Sequence, residues 1–524
     1  MISDSIGTWP RRRAVKSAEH PAIVFRDVET SYRELADRVD HLAAAFQDRG
    51  VGFGDRVAYL GNNHPSFVET LFATTMLGAI FVPLNTRLSI PELEYMLDDS
   101  GAMLLVSGSA LEPLASAASI GRAMIHIVVD DPEPGDPVAV SPGSEDYEQT
   151  LRDAPTAPRG PVAVGLQDRA VIIYTSGTTG RPKGAVLTHG NLTWNALNVL
   201  VDYDITSADR SLMISPLFHV AALGMGCLPV ILKGATLLLE ERFVPSDALR
   251  SIERLRATAI SGVPTTFQLM LDDPAWATSD ISSLHLLTCG GSAVPERVRA
   301  AYEKRGLSFS GGYGMTEASP GITMLPPRYS IERAPSAGLA HFFSDFRIRG
   351  ADATDGGAAT AADPHERGEI EARGPNVFLE YWGNDEATRQ AFVGDRWLRT
   401  GDVGYVDEDG FLFIVDRAKD MIISGGENIY SAEVEQAIAS IPGVTGVAVI
   451  GVPHDRWGEV PHAVITVAPG QSLDPEEMVA HLSTRLARYK VPKTLEVVDE
   501  LPRTASGKVQ KGVLRERYDT QSNA

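Results

Sequence analysis

Cysteine is nearly missing from this chain of 524 residues: only Cys227 and Cys289 occur. Two cysteines build no disulfide framework, and that usage fits a reducing, cytoplasmic compartment. No apolar run reaches the 18 or more residues of a membrane-spanning helix. Arg11, Arg12 and Arg13 lie near the start, but no apolar stretch follows them, so no secretory signal is expected. Basic residues are in deficit, 47 against 68 acidic ones, for a net charge of −21. That balance excludes general nucleic-acid binding while leaving room for a local basic patch. What is present, 44% hydrophobic and 22% charged residues, fits a globular enzyme. The chain is too long for one core, so two or more domains are expected. Peripheral membrane contact through the arginine triplet and a homodimer both stay open.

Along the chain, helical and strand patterns alternate. Ser31 and Glu34 form a capping box, Leu35, Val39, Leu42 and Phe46 follow at helical spacing, and Gly50 closes the helix. Strands are expected at 56–60, 79–83 and 103–106, with helices at 66–77 and from Pro91 to near Gly101. This alternation predicts a mostly parallel, layered α/β fold. Residues 131–161 and 350–367 are rich in Pro, Asp, Ser, Ala and Gly and read as surface connections. A strand is expected over 211–217, ending at Phe218-His219. From about Tyr405 the pattern shifts to smaller units. Helices at 431–441 and 475–488 and strands at 446–451, 463–467 and 495–498 describe an α+β domain of about a hundred residues. The expected architecture is a large N-terminal domain, 1–417, a boundary segment at 418–420, and a small C-terminal domain, 421–524.

The most informative stretch is Val171-Ile172-Ile173-Tyr174-Thr175-Ser176-Gly177-Thr178-Thr179-Gly180-Arg181-Pro182-Lys183-Gly184. An apolar run leads into hydroxyls, glycines and a lysine, which together suit a polyphosphate. It is no Walker A loop, since Pro182 stands where Gly-Lys would be needed. The run after Gly184 reads as a strand, so the expected unit is a strand–loop–strand clasp. The loop resembles the signature of the adenylate-forming superfamily, which includes acyl-CoA synthetases, luciferases and carrier-protein adenylation domains. Further matches follow in the family's order almost to the C-terminus.

In Gly311-Gly312-Tyr313-Gly314-Met315-Thr316-Glu317, glycines permit close packing, Tyr313 can stack on a flat ring, and Glu317 suits Mg²⁺. The resemblance implies that Tyr313, Thr316 and Glu317 meet adenine, phosphate and metal. It also implies that Thr175 joins the metal and that Gly290-Gly291-Ser292 forms another adenine-side loop. In Trp397-Leu398-Arg399-Thr400-Gly401-Asp402, the carboxylate of Asp402 can accept two ribose hydroxyls. Arg417 resembles the family's second ribose contact, Ile414 lies in the strand leading to it, and Gly410 marks a hairpin turn between. Lys419 matches the hinge position, so the resemblance implies that 418–420 is a hinge and that the C-terminal domain is mobile. Ser424-Gly425-Gly426-Glu427 resembles the loop that lines the pantetheine tunnel of acyl-CoA synthetases. Leu501-Pro502-Arg503-Thr504-Ala505-Ser506-Gly507-Lys508 resembles the C-terminal catalytic-lysine motif. An ammonium between a carboxylate and an α-phosphate cancels their repulsion. Lys508 is the candidate, and Lys183, better placed for β/γ-phosphates, is the rival.

His219 ends an apolar run and resembles a gate beside the acyl carboxylate. Val220, Ala221, Gly224, Val263 and Pro264 would line the acyl pocket. They carry no charge, so a substrate with a second charge is disfavoured. The implied activity is ATP- and Mg²⁺-dependent activation of a small hydrophobic carboxylic acid to acyl-AMP, followed by transfer to coenzyme A. Fatty acids lead as the substrate class and aryl acids follow. Carrier-protein loading, a luciferase-like oxygenase and a nucleotide-binding pseudoenzyme are the competing readings. The stretch from Pro335 to Phe346, with Phe342-Phe343, departs from the family pattern.

Overall fold

The computed structural model describes residues 3–130, 143–160, 162–175, 181–291, 294–350, 363–417, 420–424, 427–454, 457–471, 473–483, 485–487, 489–503 and 509–521. The chain divides into two compact units, Met1–Phe346 with Ala372–Leu398, and Arg347–Glu371 with Arg399–Ala524. This division follows packing density. The expected hinge is a separate matter, because Ala418 and Lys419 lie outside the described residues.

Two sheets build the first unit. The nine-stranded one has a parallel centre of Arg210–Met213, Ala259–Gly262, Leu286–Gly290 and Phe309–Gly314. Parallel neighbours need crossovers, supplied here by the helices Pro245–Leu255, Pro264–Asp272 and Glu296–Glu303. In the eight-stranded sheet, Arg169–Thr175 and Lys183–Thr188 run antiparallel, with Thr175 opposite Lys183. The two strands expected on either side of the clasp are therefore present. Thr188 and Asn191 cap the next helix, His189–Asp202, through reciprocal bonds of 2.8 and 3.0 Å. Phe67, Phe72, Phe81 and Tyr59 are fully buried in the core between layers. Each such ring contributes about 1.5–3 kcal/mol by leaving water. The capping box at Ser31 and Glu34 is formed, and Leu35, Val39, Leu42 and Phe46 are buried below it. The arginine triplet is engaged inside this unit: Arg11 with Asp40, Arg12 with the Ser3 carbonyl and Arg13 with the Leu232 carbonyl. Among the described residues, no helix is long and apolar enough to cross a membrane.

In the second unit, the sheet of Glu427–Ile429, Ile422–Ser424, Gly458–Val467, Val444–His454 and Thr494–Val497 is covered by helices Ser431–Ala439 and Pro475–Ser483. Val434, Ile438, Met478 and Leu482 are buried between them. A further sheet includes the strand Trp397–Val406, along which the chain passes from the first unit to the second.

Two expectations are corrected, and one element is added to them. Residues 131–161 are not all connection. The helix Tyr147–Asp153 lies there, anchored by a buried Tyr147 whose hydroxyl donates to Glu69 at 2.7 Å. The strand expected over 211–217 stops at Met213, because the chain turns at Pro216 and Leu217 N–H donates to Asn63 Oδ1 instead. A last helix, Lys511–Gln521, follows the C-terminal motif and buries Leu514 and Tyr518 at helical spacing.

His189 is fully buried, and its Nδ1 accepts the Ile6 N–H at 3.2 Å, tying the N-terminal segment to the helix after the clasp. Burial pulls its pKa from 6.5 down to about 4. The unfolded chain takes up a proton in that interval and the folded chain does not, so stability falls as pH drops from 6.5 towards 4. A His189→Gln variant should show a flatter melting temperature across this window, measured by differential scanning fluorimetry.

Candidate active site

Ligands of open α/β sheets bind at the carboxyl ends of the strands. Here those ends are Met213, Gly262, Gly290 and Gly314, on parallel strands in register (Gly262 opposite Cys289, Gly290 opposite Gly312). His219, Val263-Pro264, Gly291 and Met315-Thr316-Glu317 follow directly from them. Motifs spread over about a hundred residues thus reach one edge. Space is open where a Cβ on Gly290 would stand, and Gly291 has φ +90°. A Cβ on Gly314 would lie 1.8 Å from the Pro320 carbonyl oxygen, so this glycine is required by backbone approach. Tyr313 is half-buried opposite Thr323. Ser292 lies outside the described residues.

At the clasp, Thr175 Oγ1 donates to the Lys183 carbonyl at 3.4 Å. Ser176, Gly177, Thr178, Thr179 and Gly180 lie outside the described residues. The Lys183 ammonium sits 5.4 Å from the ring centroid of Tyr381, and the Tyr381 hydroxyl donates to Glu317 Oε1 at 2.7 Å. Glu317 is only 6% exposed. Burial, with the Glu317 carboxylate beside it, pushes the Tyr381 hydroxyl well above its ordinary pKa, so it stays a donor. The segment around Tyr381 is a backbone strap. Phe378 N–H donates to the Glu317 carbonyl at 2.8 Å, Leu379 N–H to Val186 at 3.0 Å and Trp382 N–H to Gly184 at 2.7 Å. Sequence reasoning missed Tyr381: its strand has two residues and its partner Glu317 is 64 positions away.

Behind the Thr316–Gly321 turn lies a buried polar network. Asn376 Nδ2 donates to the carbonyls of Ala318 and Gly321 at 2.8 and 2.7 Å. Its own carbonyl accepts Ser319 Oγ at 2.7 Å, and its Oδ1 accepts Ser344 Oγ at 2.8 Å. Asn195 bridges Gly224 and Gly321, and Asn198 holds Ser344 and the Phe343 N–H. The departure from the family pattern repacks here. Phe343 meets Trp194 edge-on at 5.1 Å and His341 pairs with Asp202, while Phe342 stays exposed.

His219 is half-buried against Phe218, ring centroids 4.7 Å apart. Its N–H donates to Pro216, and its carbonyl opens a helix containing the π-helical turn Ala222–Cys227. Such turns concentrate at functional sites. A Cβ on Gly224 would lie 2.3 Å from the Ser319 carbonyl oxygen, so this glycine serves the packing of that turn. Val220 is buried, Ala221 exposed, and Val263 and Pro264 half-buried.

In the second unit, Asp402 stands directly opposite Arg417 across the hairpin that turns at Gly410 (φ +82°). Asp402 is buried and Ile414, opposite Gly404, is partly exposed. Of Arg417 and Glu427 the structure describes the backbone, with Glu427 paired to Ser424. Lys419, Gly425, Gly426 and Lys508 lie outside the described residues. Arg503 and Val509, on either side of Lys508 in the sequence, form an isolated antiparallel bridge.

The family described as AMP-binding enzyme matches residues 10–382, and its C-terminal domain matches residues 433–508. The chain belongs to the AMP-binding enzyme family. This is the adenylate-forming superfamily that the motifs resemble, and its two-domain α/β architecture is the one observed. A feruloyl-CoA synthase from Amycolatopsis sp is 46% identical over 99% of this chain and all of that one. The long-chain-fatty-acid–CoA ligase FadD13 of Mycobacterium tuberculosis is 36% identical over 98% of both. The solved structure of ATP-bound MatB from Rhodopseudomonas palustris superposes with a TM-score of 0.88, at 30% identity and 99% coverage of both chains. The enzyme class that follows is an AMP-forming acid–thiol ligase.

Gly314→Ala should strike the Pro320 carbonyl and destabilise the protein by about 1–3 kcal/mol, read by denaturant unfolding. Nucleotide binding by calorimetry should fall further than the stability loss explains.

Proposed function

We propose that this AMP-binding enzyme joins an aryl or arylalkenoic acid of the hydroxycinnamate type to coenzyme A through an acyl-AMP intermediate. The observation that carries the substrate class is the chain-long 46% identity to a feruloyl-CoA synthase. The uncharged residue types at Val220, Ala221, Gly224, Val263 and Pro264 support a hydrophobic acid generally. The likeness to FadD13 favours a fatty acid as the second reading.

In this reading each motif has a role. ATP lies with its adenine against Tyr313 and Gly290-Gly291 and its phosphates on the clasp, where Lys183 supplies positive charge. The Lys183 ammonium lies over the Tyr381 ring. The family resemblance assigns the ribose to Asp402 and Arg417. The donors for Mg²⁺ fit: a buried carboxylate, Glu317, and a hydroxyl, Thr175, are hard oxygens of the kind the ion prefers. When bound, Mg²⁺ would neutralise phosphate charge. The acid carboxylate, beside His219, attacks the α-phosphorus and pyrophosphate leaves. Lys508 stabilises the charge gathered between the two anions. The thiol of coenzyme A, reaching the site past Ser424 and Glu427, then attacks the acyl carbon, and AMP leaves. Coenzyme A rather than a carrier protein is the acceptor of choice here, and Lys419 is the pivot of the small domain.

With purified enzyme in a coupled AMP-release assay, ferulate or coumarate should give kcat/KM at least about tenfold above palmitate, a difference of about 1.4 kcal/mol. The reverse ranking would establish the fatty-acid reading. Omitting free coenzyme A should abolish thioester formation.

Lys508→Ala should lower ATP–pyrophosphate exchange by about 10²–10³ while transfer from supplied acyl-AMP persists. Normal exchange would move the role to Lys183.

A further inference from the structure

Tyr381 meets two groups assigned to the nucleotide. Its ring faces the Lys183 ammonium at 5.4 Å, and its hydroxyl donates to Glu317 Oε1 at 2.7 Å. Little of this depends on the side chain's own freedom. The strand Glu380–Tyr381 pairs with Lys183–Thr188, placing Tyr381 opposite Ala185, and Phe378 N–H holds the carbonyl of Glu317 itself. Tyr381 N–H is tied to Thr388 Oγ1 at 2.9 Å, and its ring packs edge-on against Phe378 at 4.9 Å. The side chain is therefore fixed from behind and offers a different face to each partner.

We infer that Tyr381 is a positioning residue for the metal–nucleotide complex, its hydroxyl aiming the Glu317 carboxylate and its ring aiming the Lys183 ammonium. This rests on the proposed assignment of Glu317 to Mg²⁺ and of Lys183 to phosphate. Glu317 has two carboxylate oxygens. A neutral donor on Oε1 sets the direction of the carboxylate without itself cancelling the negative charge. A lysine or arginine at position 381 would neutralise that charge and weaken the attraction for a cation. The aromatic face orients Lys183 without cancelling its charge, where a carboxylate would form an ion pair that competes with phosphate. One residue thus meets an anion through its hydroxyl and a cation through its ring face.

The two contacts separate by substitution. Tyr381→Phe removes only the hydroxyl, whereas Tyr381→Leu removes the aromatic face as well. Calorimetric titration of ATP, once with Mg²⁺ and once with EDTA, reads binding independently of turnover. For Tyr381→Phe, Mg·ATP should bind about tenfold more weakly, the effect of one hydrogen bond to a charged group. Metal-free ATP should bind within about twofold of the wild-type value. Tyr381→Leu should lose affinity for both. Equal losses for both titrants in Tyr381→Phe, or no loss for either, would overturn the inference and leave the ligase reading standing. If the wild-type enzyme itself binds ATP equally with and without Mg²⁺, the assignment of Glu317 to the metal fails, and the inference with it. Melting temperatures of both variants guard against a folding defect. A Tyr381→Phe protein that melts within about 2 °C of wild type and still shows the selective loss confirms positioning.

Discussion

One buried amide constrains the candidate site. Asn376, 1% exposed, places its two N–H donors on the carbonyls of Ala318 and Gly321 and its carbonyls on Ser319 and Ser344. A turn so short cannot satisfy those groups internally, and each left unpaired would cost about 1–3 kcal/mol. The amide therefore fixes the backbone from Ala318 to Gly321, immediately after Glu317. It also fixes where the chain leaves, because the strap with Phe378 and Tyr381 begins two residues later. Position of the carboxylate and position of the tyrosine that touches it follow from the same side chain.

The sheet edge supplies the rest. Parallel strands must end on the same side, and the loops after them carry whatever chemistry the protein performs. That rule converts a linear series of motifs into a spatial cluster. Gly290 leaves room, Gly314 permits backbone contact, and His219 begins the helix with the π-helical turn. Asn195 then joins that turn to Gly321, so the helix after His219 and the turn after Glu317 share one buried side chain.

Much of this was legible in the sequence because the informative residues are local. A capping box spans three positions, a hairpin is marked by Gly410, and a clasp announces itself by glycines and hydroxyls between apolar runs. Asp402 and Arg417 were paired by spacing, and they face each other across the hairpin. What stayed hidden is non-local or compositionally disguised. Tyr381 acts through residues far away in sequence, and a two-residue strand has no periodicity to read. Asn195 and Asn376 look like ordinary polar residues until burial is known. The helix Tyr147–Asp153 was masked by the proline-rich run before it, and Pro216 outweighed the strand propensity of its neighbours.

The second unit is built from two separate pieces of chain, which bears on how such enzymes can be recombined. Residues Arg347–Glu371 are folded with the C-terminal residues from Arg399 onward. Arg399 pairs with Glu369 at 2.8 Å, and Thr400 Oγ1 donates to the Ile370 carbonyl at 2.7 Å. Arg347 pairs with the fully buried Glu371 at 2.6 Å. A chimera spliced at residue 399 would graft one half of this unit onto a foreign copy of the other. Its seam would fall across matched charges, and the loser would be whichever parent's strand arrives without its complement.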